Sequence, residues 1–248
     1  MAEFSIKIAG QVARVKSLFE STRDYCRQYL TEETPDFAVE VTREDLAFEQ
    51  EAALEEARLE GFRPRIFTDP FLERAAIQRK VAEHLIADGV LLFHGSAVAV
   101  DGEGYLFTAR SGTGKSTHTR LWRQAFGDRA VMVNDDKPFL KITDRGVWIC
   151  GSPWSGKHGL DANITVPLKG LCLLERGPED RIQRASAREL EERLLHESYC
   201  PPDPARQEAF CALVKALGEN TALWRMECTK DLRAAHTAYD AMSGNIRQ

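Results

Sequence analysis

A run of glycines, small hydroxyl residues and one lysine follows an apolar stretch near the middle of the chain, in the sequence TARSGTGKSTHTRLW at residues 108–122. Gly112 and Gly114 allow backbone N–H groups to turn inward around an anion. The ammonium of Lys115 can reach terminal phosphates, and the hydroxyl of Ser116 can ligate Mg²⁺. These residue types at this spacing are typical of a loop that wraps a polyphosphate. An ordinary glycine-rich turn between a strand and a helix is the alternative.

The elements on either side of this loop fit the same interpretation. Residues 105–107 are apolar and predict a buried strand, and residues 117–126 can form a helix whose N-terminus faces the phosphates. One position departs from the usual motif, because Ala109 stands where the first glycine belongs. The sequence therefore predicts a somewhat different backbone at that position.

A second cluster of polar residues follows a short apolar strand predicted at residues 130–133. That strand leads into Asn134, Asp135 and Asp136. Carboxylates at the end of such a strand lie beside the phosphate loop in nucleotide-binding sheets, where one of them can hold Mg²⁺. A turn that merely begins with two aspartates is the alternative, and the phosphate loop upstream favours the metal interpretation.

A glycine-rich loop at residues 151–159, GSPWSGKHG, contains further reactive side chains. Loops of this composition suit substrate contact or lid closure, although an ordinary connection remains the alternative. Further positive charge, or a group that holds a substrate, would come from Lys157, His158 or Arg176.

Composition excludes several classes of function. The chain has 248 residues and a net charge of −5, which argues against a protein that binds nucleic acid or a membrane surface. The amino terminus lacks the apolar core of a signal peptide, and no stretch is long and apolar enough to span a bilayer. Six cysteines are scattered without CxxC spacing, which favours buried thiols over disulfides or zinc ligands. We expect a cytoplasmic protein and leave its oligomeric state open.

Hydrophobic periodicity divides the chain into a small lobe and a larger domain. Strands at residues 4–8 and 37–41, with helices at 15–30 and 42–60, predict an α+β lobe over residues 1–70. A helix at 69–87 and a strand at 90–93 open the domain predicted over residues 71–248. The dipeptide Asp101–Gly102 then joins strands 96–100 and 104–108 in a hairpin. Strands at 166–174 and 222–226 and helices at 190–196, 206–217 and 231–242 follow. The expected fold class is α/β, or α+β overall.

Three motifs together resemble the HPr kinase/phosphorylase and phosphoenolpyruvate carboxykinase superfamily. They are His94-Gly95-Ser96, the run from Ser111 to Ser116, and the aspartate pair after Asn134, and the resemblance covers about residues 75–174. The stretches HGSAVAVDGEGYLFTARSGTGKSTHTRLW, NDDKP and GSPWSGKHGL also resemble a bacterial branch of small kinase-like proteins of unassigned substrate. The resemblance implies a P-loop nucleotide-binding core behind the small N-terminal lobe.

The resemblance also implies roles for individual residues. Lys115 would bind the β- and γ-phosphates, and Ser116 and Asp136 would hold Mg²⁺. Asp135 would be the general base, although the roles of the two aspartates are interchangeable at this stage, and His94 would lie near the transferred phosphate or the metal. The remaining residues of the nucleotide-binding loop, several of them through backbone N–H groups, would be Ser111, Gly112, Thr113, Gly114 and Thr117.

These residues together predict an ATP- and Mg²⁺-dependent kinase that phosphorylates a hydroxyl group. Phosphoryl transfer needs an acceptor held in line, charge neutralised on the γ-phosphate and a base. We favour a small-molecule acceptor over a peptide or protein serine, because no extended docking surface is evident in the sequence. Two alternatives stay open: a nucleotide-binding regulator or peptide-maturation partner without turnover, and a phosphorylase that runs the reverse reaction. The nucleotide preference among ATP, GTP and pyrophosphate is also open.

Overall fold

The computed structural model describes residues 1–244, with the backbone alone at Glu60. The chain divides into two compact units, Met1–Leu85 and the residues from Ile86 onward. The sequence predicted a boundary after residue 70. The difference lies in one helix, Asp69–Leu85, which packs on strands of the first unit.

The first unit combines a three-stranded sheet with three helices. Its strands β1, β2 and β3 follow one another in the sheet, with β1 antiparallel and β3 parallel to β2. The elements are β1 (Ala2–Ile8), β2 (Gln11–Ser17), α1 (Glu20–Tyr25), β3 (Phe37–Glu40), α2 (Arg43–Glu60) and α3 (Asp69–Leu85).

Helices α2 and α3 are joined by partly buried ion pairs. Arg79 on α3 contacts Glu49 at 2.6 Å and Asp45 at 3.3 Å on α2. Helix α2 begins where the sequence predicted, because the Thr42 hydroxyl and the Asp45 carboxylate form a capping box.

The helix predicted over residues 15–30 is wrong. Residues 11–17 form strand β2, and α1 covers only six residues after it. Ala13 and Val15 are buried while Arg14 and Lys16 are exposed, and this alternation suits a strand that pairs with β1 along its full length. Sheet pairing here outweighs the helical spacing that the apolar residues also permit.

The second unit is built on a nine-stranded mixed sheet with the order β4-β8-β9-β10-β6-β5-β7, with β12 pairing to β10 and β11 to β12. Its strands are β4 (Val90–Leu92), β5 (Ser96–Val100), β6 (Glu103–Thr108), β7 (Ala130–Asn134), β8 (Phe139–Thr143), β9 (Gly146–Cys150), β10 (Thr165–Arg176), β11 (Arg181–Arg184) and β12 (Leu223–Cys228). Its helices are α4 (Lys115–Phe126), α5 (Ala187–Glu197), α6 (Pro204–Asn220) and α7 (Arg233–Met242).

Helices cover both faces of this sheet, and the side chains of β6 alternate between two apolar cores. Leu106 belongs to a cluster that includes Leu190 of α5 and Phe210 of α6. Tyr105 and Phe107 belong to a second cluster on the other face, with residues of α4 and α7. The architecture is therefore mixed α/β, with β6 in the interior of the sheet and α4 directly after it.

The predicted hairpin is confirmed, since β5 and β6 pair antiparallel around Asp101 and Gly102, both with positive φ. Strands β8, β9 and β11 were not predicted. Strand β10 is longer than expected, and its pairing with β6 shifts register between Leu168 and Gly170. Of the six cysteines, Cys200 and Cys211 are exposed, against the expectation of burial, and all six are free. Within residues 1–244, no helix has the length and apolar character to cross a membrane.

Candidate functional site

The loop that the sequence singled out connects β6 to α4, in the predicted order of strand, loop and helix. Gly112 and Gly114 have φ values of +75° and +127°, a region that residues with a Cβ rarely adopt. Gly114 is also the N-cap of α4, and no side chain caps this end. The first-turn N–H groups therefore keep their capacity to bind an anion.

Ala109 does not occupy a strained position. It has no positive φ, and it is completely buried in the core beneath α4. The Ala109 carbonyl accepts a hydrogen bond of 3.3 Å from the Lys115 ammonium. The lysine side chain therefore folds back across its own loop.

Lys115 lies in a partly buried and charged environment. Burial lowers the pKa of its ammonium, while the negative charges of Glu197 and Asp136 act in the opposite direction. This combination places a lysine cation beside two carboxylates at the uncapped end of α4.

Asn134 organises the turn that presents the two aspartates. Its amide nitrogen donates to the Ser152 carbonyl at 2.8 Å, and its amide oxygen accepts from the N–H groups of Asp136 and Lys137 at 2.8 and 2.7 Å. Asn134 is fully buried, so this turn is fixed from inside the protein. The side chain directs two consecutive carboxylates to different surroundings.

The Asp135 carboxylate is only 7% exposed. Its Oδ1 accepts a hydrogen bond of 2.7 Å from the Ser96 hydroxyl, and Ser96 Oγ lies 2.7 Å from the hydroxyl of Thr119 on α4. This network leaves Oδ2 of Asp135 for another partner. The sequence motif contained Ser96 without assigning it this role.

The Asp136 carboxylate is more exposed and lies beside His94, with 3.4 Å between Asp136 Oδ1 and His94 Nε2. On its other side, a Cβ built on Gly156 would stand 3.1 Å from the Asp136 Cβ. The glycine-rich loop therefore passes close to Asp136. Lys157, the next residue, is exposed on a 3-10 turn.

Sequence reasoning missed two residues beside His94: Glu197, which holds it in place, and Arg193, which binds Glu197. Glu197, at the end of α5, accepts from His94 Nδ1 at 2.9 Å and from Arg193 at 2.8 Å, and its side chain is only 3% exposed. Burial alone would raise the pKa of Glu197, but the hydrogen bonds from His94 and Arg193 bring it down to about 2. No motif marks Glu197, because it is brought to His94 by the folding of a distant helix.

Two cavities flank the loop. The larger, about 910 Å³, lies against Ser111, Gly112 and Thr113 and has an apolar floor that includes Leu173 and Leu190. Arg176 donates hydrogen bonds to the carbonyls of Gly112 and Thr113 at its edge. A cavity of this size can take a nucleotide-sized molecule.

The smaller cavity, about 140 Å³, has a mixed polar and apolar lining and lies at the first turns of α4. It is lined by Ser116, Thr117, Thr119, Arg120, Arg123, Met132, Asp135, His158 and Leu160. The structure therefore brings the predicted residues Ser116, Thr117 and Asp135 to one cavity, while His94 and Asp136 form a neighbouring group with Lys115.

Comparisons with known proteins add little to this geometry. No protein-family model matches the chain, and a comparison with curated proteins found no match. Among solved structures, it is similar to the Hpr(Ser) kinase/phosphatase from Coxiella burnetii, with 14% identity over 50% of this chain and 93% of that chain. The TM-score of that similarity is 0.28, so it carries no argument about mechanism.

Proposed function

We propose that this chain is an ATP- and Mg²⁺-dependent phosphotransferase that moves the γ-phosphoryl group to a hydroxyl, with a small molecule as the favoured acceptor. One observation carries the proposal. The negative charge of Asp136 acts on the Lys115 ammonium at the uncapped N-terminus of α4, and Asp135 lines a separate small cavity at the first turns of the same helix. A cation, a metal-binding carboxylate and a base are the groups that phosphoryl transfer requires.

The loop contains the groups that would bind the phosphates of the donor nucleotide. Gly112 and Gly114 leave N–H groups available to phosphate oxygens, and Lys115 would neutralise the charge of the terminal phosphates. Ser116 and Asp136 offer one hydroxyl and one carboxylate oxygen to Mg²⁺. This sparse donor set fits Mg²⁺, which usually keeps several waters and completes its shell with phosphate oxygens. Bound Mg²⁺ would stabilise the charge that develops on the transferred group.

The large cavity suits the nucleoside part of the donor. It adjoins the loop at Gly112 and Thr113, and Leu173 and Leu190 provide an apolar surface for a base. The small cavity is about six times smaller by volume, since about 910 Å³ compares with about 140 Å³. It suits the reacting end of an acceptor and not a nucleoside.

The surroundings of the two aspartates favour different roles. Lys115 and His94 lie near Asp136, which suits the phosphate and metal side. Asp135 has Oδ1 held by Ser96 and faces the small cavity, which suits a base that receives a proton from an acceptor hydroxyl. His94, held by Glu197, would orient Asp136.

The test is ³¹P NMR of the protein with Mg-ATP and pooled hydroxyl metabolites, free serine and serine-containing peptides. A new phosphoester signal is expected, and Asp135→Asn should abolish it while Mg-ATP still binds. Asp136→Asn should instead weaken the Mg²⁺ dependence of nucleotide binding.

Two results would count against the proposal. Tight Mg-ATP binding without any product would favour a nucleotide-binding regulator, and full turnover by Asp135→Asn would remove Asp135 as the base. Phosphoester cleavage that requires inorganic phosphate would indicate a phosphorylase.

A further inference from the structure

The outward face of helix α4 carries two arginines whose side chains lack partners within the described residues 1–244. Arg120 and Arg123 are exposed and line the small cavity with His158. Within residues 1–244, the side chain of neither arginine forms an ion pair, hydrogen bond or ring contact. Their side chains are therefore free to bind a ligand.

Three other arginines of the second unit are paired with carboxylates. Arg225 binds Glu175 through two hydrogen bonds of 2.7 and 2.8 Å, and Arg193 binds Glu197 at 2.8 Å. Arg129 binds Asp101 at 3.0 Å. Arg120 and Arg123 differ from Arg188, which is also unpaired within the described chain but lines neither cavity, because both line one cavity together with Asp135. Two adjacent unpaired arginines at one cavity indicate a site for an external anion.

The helix places these two cations on one side. Residues three apart lie next to each other on a helix surface, with about 5–6 Å between Cβ atoms. Leu121 and Trp122, between them in sequence, are buried in the core beneath α4, so Arg120 and Arg123 have to face outward. The loop that carries His158 closes the other side of the same cavity.

The size and lining of the cavity restrict the ligand. A volume of about 140 Å³ suits a single small group, whereas whole drug-sized ligands need about 300–1,000 Å³. Guanidinium groups bind carboxylate and phosphate in a planar, two-pronged arrangement. The Asp135 carboxylate lies in the same cavity, within the short reach of a ligand that carries both an anion and a hydroxyl.

We propose that the acceptor carries an anionic group, a phosphate or a carboxylate, and that Arg120, Arg123 and His158 bind this group. This inference rests on the proposed phosphotransferase function and names the class of its acceptor. The anion anchors the molecule, and the hydroxyl lies beside Asp135. The hydroxyl proton passes to Asp135 as the oxygen bonds to the γ-phosphorus. The bond from that phosphorus to the β–γ bridging oxygen breaks, and the bridging oxygen keeps the electron pair.

The experiment measures anion binding at the arginines directly. Inorganic phosphate and acetate are titrated separately into protein saturated with Mg²⁺ and a non-hydrolysable ATP analogue, so that the loop is already occupied. The ¹⁵N–¹H signals of the arginine Nε groups report binding. We expect saturable shifts at Arg120 and Arg123, and at least a tenfold loss of affinity in the double variant Arg120→Gln/Arg123→Gln.

A matched control and a nucleotide-free arm make the result specific. Arg188→Gln removes an exposed arginine of α5 that lines neither cavity and has no partner in the described chain, and it should bind the anions as the wild type does. The same titration is repeated with Lys115→Ala protein in the absence of nucleotide. It measures anion binding at the arginines when the loop lacks its cation. Phosphate against acetate shows which anion the site prefers.

Every outcome has a defined meaning. Absent anion binding, or equal binding by the double variant and the wild type, overturns the proposal. A double variant that loses affinity for the ATP analogue but not for phosphate assigns the arginines to the donor and also overturns it. Failure of the wild type to bind the ATP analogue contradicts the proposed function, and the Lys115→Ala arm then still decides whether the anion site exists.

Discussion

Charged side chains are paired on one side of the loop at residues 111–116 and unpaired on the other. On one side, Glu197 is almost completely buried and satisfied by His94 and Arg193. On the other, Arg120 and Arg123 are exposed and have no partner in the part of the chain that the structure describes. Groups that are already paired hold a fixed geometry, whereas unpaired groups that line a cavity are available to bind a ligand. The first side therefore holds His94 in position, and the second side can bind a ligand.

The same contrast is seen between helix termini. Helix α5 begins with a capping box of Ser186 and Glu189, while α4 begins at Gly114 with no side-chain cap. A capped end satisfies its own N–H groups. The uncapped end of α4, which follows a loop with two positive-φ glycines, leaves its N–H groups to be satisfied by an anion.

The largest expected effect is on the paired side. Glu197→Ala should lower the free energy of unfolding by about 3–5 kcal/mol, because it leaves Arg193 and His94 without their buried partner. Urea unfolding followed by tryptophan fluorescence measures this, since all four tryptophans lie in the second unit. Glu191→Ala, an exposed glutamate on the same helix, should change stability by less than about 0.5 kcal/mol. Equal effects of the two substitutions would contradict the positioning role.

The stability that Glu197 contributes to the fold depends on pH. The folded-state pKa of Glu197 is about 2, below the ordinary value of 4.5. The carboxylate therefore stabilises the fold fully above about pH 5, and this contribution of about 3 kcal/mol is lost as the pH falls towards 2. The variant Glu197→Gln should show a shallower loss of stability over that window. An identical slope would show that Glu197 does not carry the effect.

The next effect concerns the open end of α4. Lys115→Ala should weaken Mg-ATP binding by about 100-fold, because a charge-assisted hydrogen bond to phosphate is lost. Isothermal titration calorimetry gives the dissociation constant. Lys230→Ala, at an exposed lysine outside both cavities, should bind Mg-ATP as the wild type does. Unchanged binding by Lys115→Ala would refute the proposed donor site.

A third effect lies on the buried face of α4, opposite the free arginines. Burial lowers the pKa of His118 to about 4, and Trp122 Nε1 donates to its Nε2 at 3.1 Å. The folded state therefore holds neutral His118, while the unfolded chain takes up a proton below about pH 6.5. Stability should fall by about 2 kcal/mol from pH 7 to pH 5. In His118→Gln, which can still accept from Trp122, the decrease over this range should be about 2 kcal/mol smaller, and an equal decrease would contradict the assignment.

Local sequence determined much of the second unit. The hairpin of β5 and β6, the loop and α4 were predictable because a turn dipeptide, an apolar strand and a glycine-rich motif all lie within 30 residues. The capping residue Thr42 likewise marked the start of α2. Such features depend on neighbours in sequence, which the sequence displays directly.

Other features depended on contacts between distant segments. Strand β2 was mistaken for part of a helix because only its pairing with β1 distinguishes the two. Glu197 lies about 100 residues from His94 in sequence, and no sequence motif indicates that the two residues are in contact. The catalytic, nucleotide and metal roles assigned to the loop residues and aspartates stay predictions.

The smallest effect tests whether the departure from the glycine motif matters. Ala109 has no positive φ, and its methyl group lies in the core beneath α4. Ala109→Gly should therefore lower the free energy of unfolding by about 1 kcal/mol, through added chain entropy and a lost buried methyl. Mg-ATP affinity should not change, because the carbonyl that accepts from Lys115 belongs to the backbone. Calorimetry and urea unfolding on the same samples separate the two effects, and a tenfold gain in affinity would show that alanine distorts the loop.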